Sequence, residues 1–219
     1  MIQAPAPIIA LLAGKVAPLR ASDEPSAIAK QPLTGPVTIT PLGITGDEQA
    51  DRIHHGGPDM ALHQYPFDHY AAWRAELGEH PLLGRPGAFG ENISTTGLTE
   101  ASVCLGDRFR LGTALIEVSK ARQPCWKQAN HLGQPDMVAR IVTTRRSGWY
   151  TRVLEPGTAA AGDLLTLIDR PRPNWPLTRL FGLLIAGDHK RDPGPLQELV
   201  DEALLAADWR ERARKLLGR

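Results

Sequence analysis

Phe109-Arg-Leu111-Gly112-Thr113-Ala114-Leu-Ile-Glu-Val-Ser119 sets two strand-forming runs either side of a two-residue turn, then continues without a break into Lys120-Ala-Arg122-Gln-Pro124-Cys125-Trp-Lys127. Glycine in the turn and β-branched or aromatic residues flanking it spell a β-hairpin. The second strand ends in a proline turn that holds a cysteine among cations and an indole. The hairpin is therefore the scaffold that aims Cys125, and cations beside a thiol favour its nucleophilic, metal-binding thiolate. The alternative is an inert core cysteine at a strand end. Over residues 118–154 the cations Lys120, Arg122, Lys127, Arg140, Arg145, Arg146 and Arg152 face one acid, Asp136, in a chain of net charge +1. This local excess predicts a surface that receives an anion.

Toward the C-terminus, Asp136 is placed to N-cap a helix through Val138, Ile141 and Val142, and Arg145-Arg146-Ser147-Gly148 closes it. Residues 149–154 alternate as a strand, and 164–168 form a last one. Alternate prolines make Arg170-Pro-Arg-Pro-Asn-Trp-Pro176 a linker, because proline cannot join a sheet ladder. Three short amphipathic helices follow at 177–186, 196–205 and 209–217, with Asp208 and Glu211 as an acidic capping box for the third. The chain thus divides into domains at 1–170 and 171–219. Three short helices bury little surface alone, so the tail is expected to dock on the larger domain or on a second copy in a homodimer.

Toward the N-terminus, 8–12 and 37–40 read as strands between prolines and glycines, with Lys30 on the loop joining them. Residues 43–59 are polar and turn-rich. His54, His55, His63 and His69, four of the seven histidines, fall close together here, near Asp51 and Asp59. They lack the i, i+4 pair that aims two imidazoles at one metal, so loop histidines that orient a ligand are the better reading. Residues 61–65 are a strand. A helix follows from Pro66, with Tyr70, Trp73 and Leu77 on its core face and Gly78 as its stop. Residues 81–90 hold too much proline and glycine for regular structure. They deliver Gly90-Glu-Asn92-Ile-Ser94-Thr-Thr96-Gly97, a run of short donors suited to an anion or to its own turns. Cys104, in Val-Cys-Leu-Gly, reads as a small core residue.

A chain of 219 residues, 42% hydrophobic and 22% charged, has enough apolar material for a real core. Two cysteines supply neither a disulfide framework nor an iron–sulfur cluster, and free thiols suit a reducing cytoplasm. The apolar run 8–13 is too short for a membrane span and lacks the basic start of a signal peptide. Near-zero net charge argues against nucleic-acid polymers as partners. There is no Gly-x-Gly-x-x-Gly fingerprint and no Cys-x-x-Cys-His haem site.

Four features in this order, His54-His-Gly-Gly-Pro-Asp, Gly90-Glu-Asn, Gly106-Asp and a strand entering Arg122-Gln-Pro-Cys125, resemble the MOSC domain, the C-terminal domain of molybdenum cofactor sulfurases. With its helical tail the chain is similar to the stand-alone bacterial branch associated with 6-N-hydroxylaminopurine resistance. The resemblance implies an α+β fold that is mostly a β barrel with a C-terminal three-helix appendage. It implies a bound molybdenum cofactor with Cys125 as metal ligand, and reduction of small N-hydroxylated substrates to amines, with electrons from an external electron-transfer protein. Thiolate suits a metal already held by a dithiolene, and the pterin's phosphate needs cations and N–H donors. On that basis Lys30, Asn92, Ser94, Thr96, Arg122, Arg145 and Arg146 are the cofactor-binding candidates, and His55 is a candidate for orienting cofactor or substrate. Two other classes remain open: a carrier that holds the cofactor or a sulfur on Cys125 without turnover, and a metal-independent transferase with Cys125 as nucleophile and His55 as base.

Overall fold

The computed structural model describes residues 4–19, 22–51 and 56–218. His54 and His55 lie outside the described residues. Seven strands form the frame: β1 (Ala6–Ala13), β2 (Leu62–Pro66), β3 (Ile93–Thr95), β4 (Arg108–Leu111), β5 (Ala114–Ala121), β6 (Trp149–Glu155) and β7 (Leu164–Asp169). Around the sheet the order is β7, β4, β5, β6, β2, β3, β1, and pairing of Ala6 with Leu165 and Pro7 with Leu164 returns β1 to β7. The sheet closes into a barrel, which removes the edges that would otherwise seek other chains. All neighbours are antiparallel except β2 and β3, so the barrel is mixed. The fold is α+β, with six α-helices beside the barrel strands among the described residues.

The hairpin forms where the sequence places it, with Ala114 opposite Leu111 and Ile116 opposite Phe109. Alternation explains β1: Ala6, Ile8 and Ala10 are buried while Pro7 and Ile9 are not. Helix α1 (Asp68–Leu77) buries Tyr70 and Trp73 and stops at Gly78. A helix absent from the sequence reading, α2 (Trp126–Leu132), starts directly after Cys125 and ends at Gly133 in the left-handed region. Its start signal is Gln128, whose Oε1 accepts from Cys125 N at 3.4 Å, a capping arrangement with cysteine where serine is usual. Helix α3 (Met137–Thr144) begins after Asp136, yet that carboxylate makes no side-chain cap and instead accepts from Arg140 Nε at 2.8 Å.

The tail folds as α4 (Leu177–Leu184), α5 (Leu196–Leu199) and α6 (Ala207–Leu216). Its apolar side chains, Leu180, Phe181, Leu199 and Trp209 among them, belong to the same buried cluster as the barrel's Phe109, Ile116 and Trp149. The connecting segment is tied rather than loose: Arg170 bonds both carboxylate oxygens of Asp107, at 2.9 and 2.6 Å. Ala206 N donates to Ser119 O at 3.0 Å, fixing the start of α6 on β5. Asp208 does not cap α6. Its carboxylate accepts from Lys120 at 2.6 Å instead.

Candidate functional site

One cleft collects the chemically interesting side chains. Its empty space, mouth included, is about 630 Å3, and its lining includes Cys125, Arg122, Lys127, His63, Tyr150, Lys30, Asp47 and Asn92. The barrel builds the floor. Residues His63 on β2 and Tyr150 on β6 are register partners, so both side chains leave the same face of the sheet. Arg122 leaves the end of β5, where its N–H bonds Gly148 O at 3.0 Å, and Cys125 follows at the head of α2, half-buried. One wall is the segment bearing Lys30. A Cβ at Gly14 would fall 2.5 Å from Ala27 O, so glycine there lets this segment lie against β1.

The cations of the cleft are not equivalent. Lys30 Nζ bonds both carboxylate oxygens of Asp47, and Asp47 also accepts from Gly14 N at 2.7 Å and Asn92 Nδ2 at 2.8 Å. Burial holds the Lys30 pKa below that of a free lysine, against the opposing pull of Asp47. Its charge is answered within the wall. Asn92 is also occupied: its Nδ2 reaches Leu12 O at 3.1 Å and its Oδ1 accepts from His63 N at 3.1 Å. Lys127 meets Pro25 O at 3.0 Å and Glu24 at 3.5 Å near the rim. Arg122 differs. It is 6% exposed, and its Nε and Nη1 have no hydrogen-bond acceptor. Burial works against its charge, but the Tyr150 phenol and Cys125 thiol facing it outweigh that and keep it a cation. An unpaired buried guanidinium costs several kcal/mol (~3–5) when nothing compensates it, so it marks a place where an anion belongs.

The remaining cations of the basic run go elsewhere. Arg145 bonds Asp188 at 2.9 Å and reaches Thr178 O, clamping α4. Arg146 pairs with Glu76 on α1 and lies over the Trp73 ring at 4.2 Å. Lys120 is held by Asp208, and Arg152 by Asp59 and Glu117. The expected single anion-receiving surface over 118–154 is thus corrected: among the described residues Arg122 is the cation of that run that reaches the cleft without an acidic partner, with Lys127 at the rim. Ser94 and Thr96 are also absent from the cleft lining; Ser94 is buried on β3. The donor loop 90–97 turns inward instead: Glu91 is fully buried and takes N–H bonds from Gly87 and Phe89 and the Tyr70 hydroxyl. Sequence reasoning missed Asp47, His63 and Tyr150 as cleft residues. The two carboxylate and phenol positions carry no local signal, and His63 stood out only as one of a group. Cys104 is buried, with its Sγ 3.6 Å from Pro173 O.

The seven-stranded mixed barrel has known counterparts. Residues 51–166 match the MOSC domain, and the chain belongs to that family. More particularly, it is 40% identical over 192 residues to Protein YiiM of Escherichia coli, covering 88% of this chain and 84% of that one. The crystal structure of YiiM from Geobacillus stearothermophilus superposes with a TM-score of 0.81 at 33% identity, over 97% of this chain and 100% of that chain. A protein of Gibberella moniliformis named Reductase is 39% identical over 217 residues; the match takes in 87% of this chain and 38% of that longer protein. Among the described residues no helix is long and apolar enough to cross a membrane.

Proposed function

We propose that the chain is a molybdenum-cofactor-dependent reductase that converts N-hydroxylated compounds, such as hydroxylaminopurine-type bases, to the corresponding amines. The observation that carries this reading is the pairing in one cleft of a half-buried thiol with a buried guanidinium that has no acidic partner and two unbonded nitrogens. The donor set fits the cofactor: a soft sulfur ligand for the metal and a cation for the phosphate of the pterin. Cys125 would hold the metal, and Arg122, helped at the rim by Lys127, would hold the phosphate. The Lys30–Asp47–Asn92 network is a rigid wall for the pterin rather than a phosphate site, since its charges and hydrogen bonds are already matched. When bound, the group supplies a two-electron redox change, the change that reduction of N–OH to N–H with release of water requires.

The chain's own residues then bind, orient and admit protons. Tyr150 and His63 shape the floor, and the open mouth lets solvent deliver the two protons that accompany two electrons. Since the sequence lacks a dinucleotide fingerprint, the electrons come from a separate electron-transfer protein. The name of the Gibberella relative is consistent with reductive chemistry on this scaffold.

The test is elemental analysis and pterin fluorescence on full-length protein from a cofactor-competent host. An assay of the loaded protein with reduced viologen and a panel of N-hydroxylated substrates follows. Substrate-dependent oxidation of the reductant is expected, with none in Cys125→Ala. Full metal loading without turnover across the panel would transfer the reading to a carrier, and absence of metal from wild type would abandon both.

A further inference from the structure

The chain has five tryptophans, and four of them, Trp73, Trp149, Trp175 and Trp209, are 4% exposed or less. Trp126 is 51% exposed. It opens α2 directly after Cys125, so the two Cα atoms are about 3.8 Å apart and the indole starts one residue from the thiol. Its other neighbour in the chain shows where the ring goes. Lys127 lines the cleft, its Nζ is tied to Pro25 O at 3.0 Å, and that Nζ lies 5.9 Å from the centroid of the Trp126 ring. The indole stands on the lip of the cleft rather than in its lining, against a lysine that is itself held. Packing of the helix does not call for it, since α2 buries Lys127, Gln128 and Leu132. A single exposed apolar residue is ordinary on a protein surface. The place beside Cys125 and the seat on Lys127 set this one apart, because a large flat ring left in water and steadied by a cation is suited to the face of another ring.

We propose that Trp126 is a stacking platform at the mouth of the cleft that selects planar, heteroaromatic N-hydroxylated compounds over small aliphatic ones. This rests on the reductase reading above and narrows its substrate class. The cleft is committed to the cofactor, so a substrate that approaches Cys125 from solvent is met at the mouth, where the indole stands. A purine-type ring gains most from a broad aromatic surface, because two stacked rings take apolar area from water and align their charge distributions. Lys127 contributes by pre-organisation: a ring already steadied loses less freedom when the substrate arrives. An aliphatic N-hydroxy compound has no face to offer and gains nothing from the platform.

The experiment uses the full chain from a cofactor-competent host and two probes, 6-N-hydroxylaminopurine and N-hydroxyurea. Two variants accompany the wild type: Trp126→Leu removes the ring, and Trp126→Tyr puts one back. Calorimetry without reductant, where nothing turns over, is expected to show the purine bound about tenfold more weakly by Trp126→Leu, on the scale of one base–aromatic stack, with most of the affinity recovered in Trp126→Tyr. With reduced viologen present, the ratio of kcat/KM for the purine to that for N-hydroxyurea should fall by a similar factor in Trp126→Leu, through KM for the purine. Equal purine affinity in wild type and Trp126→Leu would overturn the platform, as would no purine binding by the wild type. A fall in kcat shared by both probes, with purine affinity intact, would also overturn it and assign the indole to the entry of electrons. Absence of turnover with either probe counts against the proposed reaction, and the binding comparison still decides the platform.

Discussion

Arg122 and Arg146 stand in one short stretch of chain, both are largely buried, and they are opposite in design. Arg146 is answered twice, by Glu76 at Nη2 and by the Trp73 ring face, with only its Nη1 unbonded, and cements α1 to the turn before β6. Arg122 reaches a cleft and is answered at neither Nε nor Nη1. The same residue type thus ties two elements together at one point and at the other turns unbonded nitrogens toward a cleft. Charge alone does not mark a site. A charge left unbalanced where balancing would have been easy does.

The sharpest way to break the comparison is at the cysteines. Cys125→Ala should abolish bound molybdenum while Cys104→Ala, in the core, retains it; metal analysis of both proteins gives an all-or-none contrast, and equal content would remove the cleft from the mechanism.

Next, the two arginines should respond with opposite signs. Arg122→Met is expected to lower cofactor retention at least about tenfold while leaving stability unchanged or raising it by ~1 kcal/mol, since it removes an unpaired buried charge. Arg146→Met should keep the cofactor and lose about 1–2 kcal/mol from its ion pair and ring contact. Denaturant unfolding of the cofactor-free proteins separates the cases, and a destabilised Arg122→Met would mean that its charge is balanced after all.

A smaller effect is expected where the tail meets the barrel. Asp208→Asn leaves Lys120 buried without its carboxylate and should cost about 1–2 kcal/mol, discounted because Asp208 itself is largely exposed. Lys120→Met on that background should restore most of the loss; if it does not, the ion pair is incidental to docking.

The smallest prediction concerns pH. His63 is neutral in the fold, with Arg122, Tyr150 and Lys30 around it, and its pKa lies well below 6.5. The unfolded chain therefore binds a proton that the folded one does not as pH falls below 6.5, and stability drops in that direction. Buried Glu91, its pKa raised by burial, contributes with the opposite sign above 4.5. Comparing wild type with His63→Phe cancels the Glu91 contribution, and the variant should lose roughly 1 kcal/mol less between pH 6.5 and 5.5. Parallel pH profiles would mean that the fold leaves the His63 pKa unshifted.

Much of the frame could be read from local pattern. The Gly112-Thr113 turn, the alternation of residues 149–154 and the core face of Tyr70 and Trp73 all reflect short-range rules, and they reappear as β4, β5, β6 and α1. The turn that presents Cys125 was legible for the same reason. Charge pairing was not. The acids that neutralise the basic run, Asp59, Glu76, Asp188 and Asp208, come from distant parts of the chain, and no window around residues 118–154 contains them. Asp47 was hidden likewise, since its partners Lys30, Gly14 and Asn92 converge only when β1 and β3 pair. Helix α2 escaped because a cysteine stands where a cap is usually serine, threonine or aspartate.

Closure of the barrel by β1 against β7 has a consequence for birth of the protein on the ribosome. The barrel strand Ala6–Ala13 finds its β7 partner only after Leu164 and Leu165 have been synthesised. Until then a segment rich in isoleucine and leucine waits with an unpaired edge, and loop-closure entropy over most of the chain has to be met before its contacts repay it. Nascent chains shorter than this seam should therefore depend on holding chaperones, and collapse to the native barrel should come as one late event rather than strand by strand.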